Sequence, residues 1–106
     1  MNDFTNMLSQ AKKMQDKMKE VQESIKKIEV EGSSGGNSVR VVLNGDYEMK
    51  SIFIDENTQK EKNVIVKDLI IAAYNDAKDK IKKKTSEEIA KATGVPNLPF
   101  DIKLPF

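Results

Sequence analysis

From Met7 to Ile28 the apolar residues Met7, Ala11, Met14, Met18, Val21, Ile25 and Ile28 fall at intervals of 4, 3, 4, 3, 4 and 3. That spacing draws a seam along one side of a helix. Phe4 and Leu8 extend the same side, and residues 1–31 contain neither proline nor glycine. The pattern predicts a helix of about 24 residues, about 36 Å long. A chain of 106 residues builds one modest core. So long a rod overhangs such a core, and its seam needs a second helix beside it or a partner. Methionine in the seam packs adaptably, which suits a peptide groove as well as a neighbouring helix. Burial against a second helix is the simpler expectation.

The period then changes. Residues 28–31, IEVE, alternate apolar and acidic, and GSSGGNS follows as a loop by composition. In SVRVVLNG, Val39, Val41 and Leu43 share one face, and Asn44-Gly45 is a hairpin signal. YEMKSIFID reads as a further strand, with Ile52, Phe53 and Ile54 contiguous. Three antiparallel strands are expected, over residues 28–31, 38–44 and 47–54. An unprotected edge of such a sheet invites a second copy.

After a polar break at 55–63, an apolar face returns with Val66, Ile70, Ala73, Tyr74, Ala77 and Ile81, widened by Leu69 and Ile71. Thr58 with Glu61, or else Asn63, offers a helix start. Gly94 offers a C-terminal cap, and Pro96 forbids continuation. This second helix spans about 30 residues, about 45 Å. Its apolar stripe thins to Ile89 and Ala90, so its outer half leaves the compact body. Residues 94–106 form a tail that repeats Leu-Pro-Phe, expected to pack in extended form over the helices or to order on assembly. The whole, 1–106, reads as one domain of α+β class, α-β-β-β-α, with a three-stranded antiparallel sheet and two long helices.

Composition removes several functions. There is no cysteine and no histidine, which excludes disulfides, sites built from those metal ligands, and the usual imidazole base. GSSGGNS lacks the spacing and lysine of a phosphate loop. Ser33, Ser34 and Ser38 have no evident base, and Asp55-Glu56 stand without a convergent polar set. An enzyme is not expected, nor a metal or other cofactor. No stretch approaches 18 apolar residues, and the first residues lack the basic segment and apolar run of a secretory leader. A cytoplasmic protein with no membrane partner is the expectation.

Net charge is only +1, so composition alone does not point to nucleic acid. Local arrangement does. Residues 78–84 carry five lysines (Lys78, Lys80, Lys82, Lys83 and Lys84) against Asp79, a local charge of +4. An antiparallel first helix would bring Lys12, Lys13 and Lys17 to the same distal region. Lysine suits phosphate as a flexible point charge and reads no base pattern. The one arginine, Arg40, falls on a strand. Solvated helix surface, with weak pairs such as Asp76–Lys80 and Asp79–Lys83, accounts for any single lysine equally well.

Ordered along the chain, AKKMQDKMKEVQ (11–22), GSSGGNSVRVVLNG (32–45), YEMKSIFID (47–55), DLIIAAYNDAKDKI (68–81) and KLPF (103–106) resemble the YbaB/EbfC family of bacterial nucleoid-associated proteins. The resemblance covers nearly the whole chain. It implies a protomer that dimerises through its sheet region into a tweezer-like homodimer with projecting helices. It also implies binding to double-stranded DNA with weak or modest sequence preference, in nucleoid organisation and gene regulation. Carried over by position, it puts the DNA surface on Lys12, Lys13, Lys17, Lys78, Lys80, Lys82, Lys83 and Lys84. Acidic neighbours such as Asp16 and Asp79 oppose phosphate approach. The alternative is a protein-interaction adaptor associated with DNA repair or recombination, motivated by the methionine seam and the Leu-Pro-Phe elements.

Overall fold

A computed structural model describes residues 2–94. Helix α1 (Asn2–Lys26) leads into strands β1 (Glu29–Ser34), β2 (Val39–Asn44) and β3 (Met49–Ile54), followed by a four-residue helix α2 (Glu56–Gln59) and the long helix α3 (Asn63–Thr93). The strands form one antiparallel sheet in the order β1-β2-β3. The protomer is an elongated body, 72 × 22 × 18 Å. The expected α+β architecture is therefore present, with α2 added. The tail expectation lies outside the described residues, apart from Gly94.

The core forms where three periodic faces meet. Val21 and Ile25 come from α1, Ile28 from the link to β1, Val39, Val41 and Leu43 from β2, and Ala73, Ala77, Ile81 and Ile89 from α3. Fully burying a side chain such as Leu43 or Ile81 is worth about 1.5–3 kcal/mol over leaving it exposed. α3 lies on β1 and β2 and reaches no comparable part of β3. Gly32 permits that contact. A Cβ there would stand 2.3 Å from the Ala73 carbonyl oxygen and 2.4 Å from the Ala77 nitrogen, so the helix backbone rests directly on the strand.

That contact explains why β1 extends to Ser34 where the sequence suggested an early loop. Gly32, Ser33 and Ser34 are held straight by α3. Ser33 N–H donates to Asp76, and the Ser34 hydroxyl donates to the Leu69 carbonyl. The loop shrinks to residues 35–38, with positive φ at Gly35, Gly36 and Asn37.

The Asn44-Gly45 signal also acts differently from expectation. It opens a four-residue loop, not a two-residue turn, and the positive φ falls on Tyr47. Asn44 builds the loop itself: its Oδ1 accepts from the Asp46 and Glu48 amides. Gly45 is required for proximity, because a Cβ there would collide with the Ile25 carbonyl at the end of α1. Beyond the loop the β2–β3 register shifts between Val42 and Leu43, leaving Lys50 as the extra residue.

Of the two expected starts, Thr58 with Glu61 does not open the second helix, whereas α3 does begin at Asn63, as its first helical residue and not as its cap. Asp55 caps the short α2 by accepting from Thr58 N–H at 2.8 Å, and α3 begins after Lys62 with no side-chain cap. The expected stop is present: Gly94 adopts φ 71° and its N–H donates to the Ala90 carbonyl. Two apolar expectations need correction. Ile71 is 57% exposed because it lies off the face that meets the sheet. Only the second half of the α1 seam is covered within the protomer, for Phe4, Met7, Leu8 and Met14 are all more than half exposed.

Candidate nucleic-acid interface

Lys12, Lys13 and Lys17 are exposed on the outer half of α1. Their helix ends where β1 begins and packs on α3 with no comparable contact to the sheet, so it runs back along the outer part of α3, antiparallel to it. Lys17 therefore lies level with the α3 turns that follow Ile81, and Lys12 and Lys13 lie about 6–8 Å farther out. On α3, Lys83 and Lys84 are exposed while Lys78 and Lys82 are half-buried. Lys80, Lys82 and Lys83 line a shallow open depression with Asp76 and Asp79. The two helices bring the predicted cations onto the same pair of rods.

Lys80 differs from the rest. Its ammonium sits 3.1 Å from the Asp76 carboxylate and donates to the Glu31 carbonyl at 2.9 Å. The sequence placed it in a distal cluster; its charge is in fact anchored at the margin of the sheet. Asp76 also accepts the Ser33 amide at 2.9 Å. The Ser33 hydrogen bond first, and the Lys80 contact second, hold the Asp76 carboxyl below its ordinary value of 3.8. Antiparallel pairing alternates main-chain groups between neighbour and open side. Glu31 and Ser33 turn theirs outward, and α3 supplies side chains to both. Within the lysine run Lys80 thus closes the edge, and the exposed Lys83 and Lys84 follow farther along the helix. Among the described residues the other ion pair is Glu88–Lys91, whereas Asp79 and Lys83 do not reach ion-pair distance.

Arg40 is not available as a base-reading fork. Its guanidinium carbon lies 4.4 Å from the centroid of the Phe53 ring, its cross-strand partner, and its Nε has no hydrogen-bond partner. It lies on the sheet face opposite α3, among the outward residues of β2. The stack is a cation–π contact that fixes the side chain flat.

Sequence reasoning missed the Asp76–Ser33–Lys80 link. Its one visible trace was the i,i+4 spacing of Asp76 and Lys80, which gives no hint of a strand alongside. Sequence reasoning also left open how bare β3 is. Met49, Ile52 and Phe53 are each more than 40% exposed, because α3 covers the other two strands. Among the described residues no group of three or more acidic residues could hold a metal ion, and no helix is long and apolar enough to cross a membrane.

Of the predicted cations, Lys12, Lys13, Lys17, Lys83 and Lys84 are exposed on α1 and α3. The comparisons with known proteins show the family. The model of the YbaB/EbfC DNA-binding family matches residues 1–95. The chain is 44% identical to the nucleoid-associated protein Atu0095 of Agrobacterium fabrum, with all of both chains covered. It is 46% identical to the nucleoid-associated protein amb4104 of Paramagnetospirillum magneticum, and 41% to GbCGDNIH1_0260 of Granulibacter bethesdensis, again over the full length of each. The chain belongs to the YbaB/EbfC DNA-binding family, which is a family of nucleoid-associated DNA-binding proteins and not of enzymes.

Proposed function

We propose that this protein binds double-stranded DNA with weak or modest sequence preference, as a homodimer located at the nucleoid, and that it contributes there to chromosome organisation and gene regulation. The observation that carries the reading is the distribution of cations. Lys12, Lys13, Lys17, Lys83 and Lys84 are exposed along the helices, while the only arginine is stacked on Phe53 within the sheet. Lysine contacts to phosphate give affinity and register, and base contacts give specificity. Lys78 and Lys82 add cations from half-buried positions. Lys80 contributes to the field with its ammonium already bonded.

The homodimer reading is supported by the contrast between the two sheet edges. Asp76 and Lys80 occupy the β1 edge. β3 keeps an open edge and an uncovered apolar surface at Met49, Ile52 and Phe53. A second copy on β3 would bury that surface and leave α1 and α3 projecting on either side.

The test is fluorescence anisotropy with a labelled random duplex of about 30 base pairs, titrated at several salt concentrations with an unlabelled unrelated duplex as competitor. Saturable binding that weakens steeply with salt and is competed away is the expected result. Binding that resists the competitor would replace weak preference by a defined site. No binding at low salt by a folded dimer would overturn the reading and leave the protein-partner role associated with repair or recombination.

A further inference from the structure

The outer half of α1 carries four large apolar side chains that the protomer leaves exposed. Phe4 is 65% exposed, Met7 66%, Leu8 56% and Met14 54%. These residues continue the seam whose second half, Val21 and Ile25, is buried. The seam therefore runs beyond the core that covers it, on a helix that is continuous from Asn2 to Lys26.

We propose that this outer segment is a self-association surface that takes the same segment of a second copy, antiparallel, and so joins one dimer to another. The charge pattern selects the occupant. In an antiparallel pair of heptad seams each knob faces the opposite seam position of the other helix. One register places Phe4 against Met14 of the other copy, and Met7 against Ala11, using only positions that are exposed in the protomer. The same register puts Leu8 beside Leu8 near the two-fold axis. On one flank Asp3 faces Lys17 of the other copy, and by symmetry this occurs twice; Gln10 faces Gln10 between them. No like charges oppose each other. Lys12 and Lys13 fall on the side away from the seam and stay free for phosphate. The contact is isologous, so it is satisfied by identical copies with no further component.

The contact rests on the dimer reading only for the number of copies it links. Its chemistry belongs to α1 and can be separated from β3. The experiment is sedimentation equilibrium of the full chain from micromolar to millimolar concentration, without DNA. Wild-type protein should pass from two copies to four or more. Leu8→Glu with Met14→Glu should raise the dissociation constant of that step by more than about tenfold and leave two copies intact. Both positions are exposed, so the protomer stays folded. Asp3→Lys should weaken the step about two- to fivefold, and adding Lys17→Asp should restore it. Interface β3 cannot produce that rescue. If the β3 interface itself fails, the same step appears as one copy passing to two, with the same rescue. Three results would overturn the proposal: wild type that never exceeds two copies, an Asp3→Lys defect that Lys17→Asp does not repair, or association released only by removing residues 95–106. The last would give the face to the chain's own final segment.

Discussion

β1 and β3 are both outer strands of one sheet, and they meet their surroundings in opposite ways. On β1, α3 covers the inner face at Gly32, and Asp76 and Lys80 take up the outward amide and carbonyl. On β3, neither service is supplied beyond the Ile54 carbonyl, which accepts from the Gln59 side chain. An edge strand left bare is a template for another chain. The difference teaches that one long helix, by lying off-centre, closes one edge and leaves the other open to pairing. The same helix sets the fate of its lysines: where it touches the strand Lys80 is structural, and where it leaves the sheet Lys83 and Lys84 are free.

The strongest way to break this asymmetry is to lift α3 from β1. Gly32→Ala places a methyl group 2.3 Å from the Ala73 carbonyl oxygen, and backbone cannot yield as a side chain does. A loss of about 3 kcal/mol is expected in urea unfolding. Attacking the other edge has its effect on assembly. Ile52→Glu with Phe53→Glu should raise the dimer dissociation constant about 100-fold, or about 2.7 kcal/mol, with secondary structure by circular dichroism unchanged.

Opening the β1 edge chemically is a smaller perturbation. Asp76→Ala removes the acceptor of Ser33 N–H and should cost about 1 kcal/mol, kept low by partial exposure. The pH dependence follows from the sign of the shift. The Asp76 carboxyl sits below its ordinary 3.8 in the fold, so its contribution is complete above that value and is lost as pH falls through the folded value. The stability gap between wild type and Asp76→Asn should therefore be constant near neutrality and shrink below about pH 4. A gap that widened on acidification would contradict the assigned contacts.

The smallest effects separate the lysines. Lys83→Gln and Lys84→Gln should each lower the salt slope of DNA binding by about 0.9 and weaken binding about threefold, without changing unfolding. Lys80→Gln should do the reverse, lowering stability by up to about 1 kcal/mol and leaving the slope nearly unchanged. Equal slopes for all three would erase the distinction between the anchored and the free part of the run.

What the residues determined unaided was everything carried by period and by local backbone chemistry. The 3–4 spacing from Met7 to Ile28 specified α1, alternation at Val39, Val41 and Leu43 specified the inner face of β2, and Gly94 ended α3, because each signal lies within one element. The ordered motifs also pointed to the family. The candidate lysines were legible as a charge run, since +4 in seven residues needs no fold to be seen. Tertiary structure alone decided the rest. Gly32 looked like a loop residue until Ala73 and Ala77 lay on it. Gly45 looked like a turn glycine until the Ile25 carbonyl filled the space its side chain would need. Lys80 looked like its neighbours until β1 came within reach. In each case the deciding contact joins residues at least 20 apart along the chain, and no local pattern encodes which strand a helix face will meet.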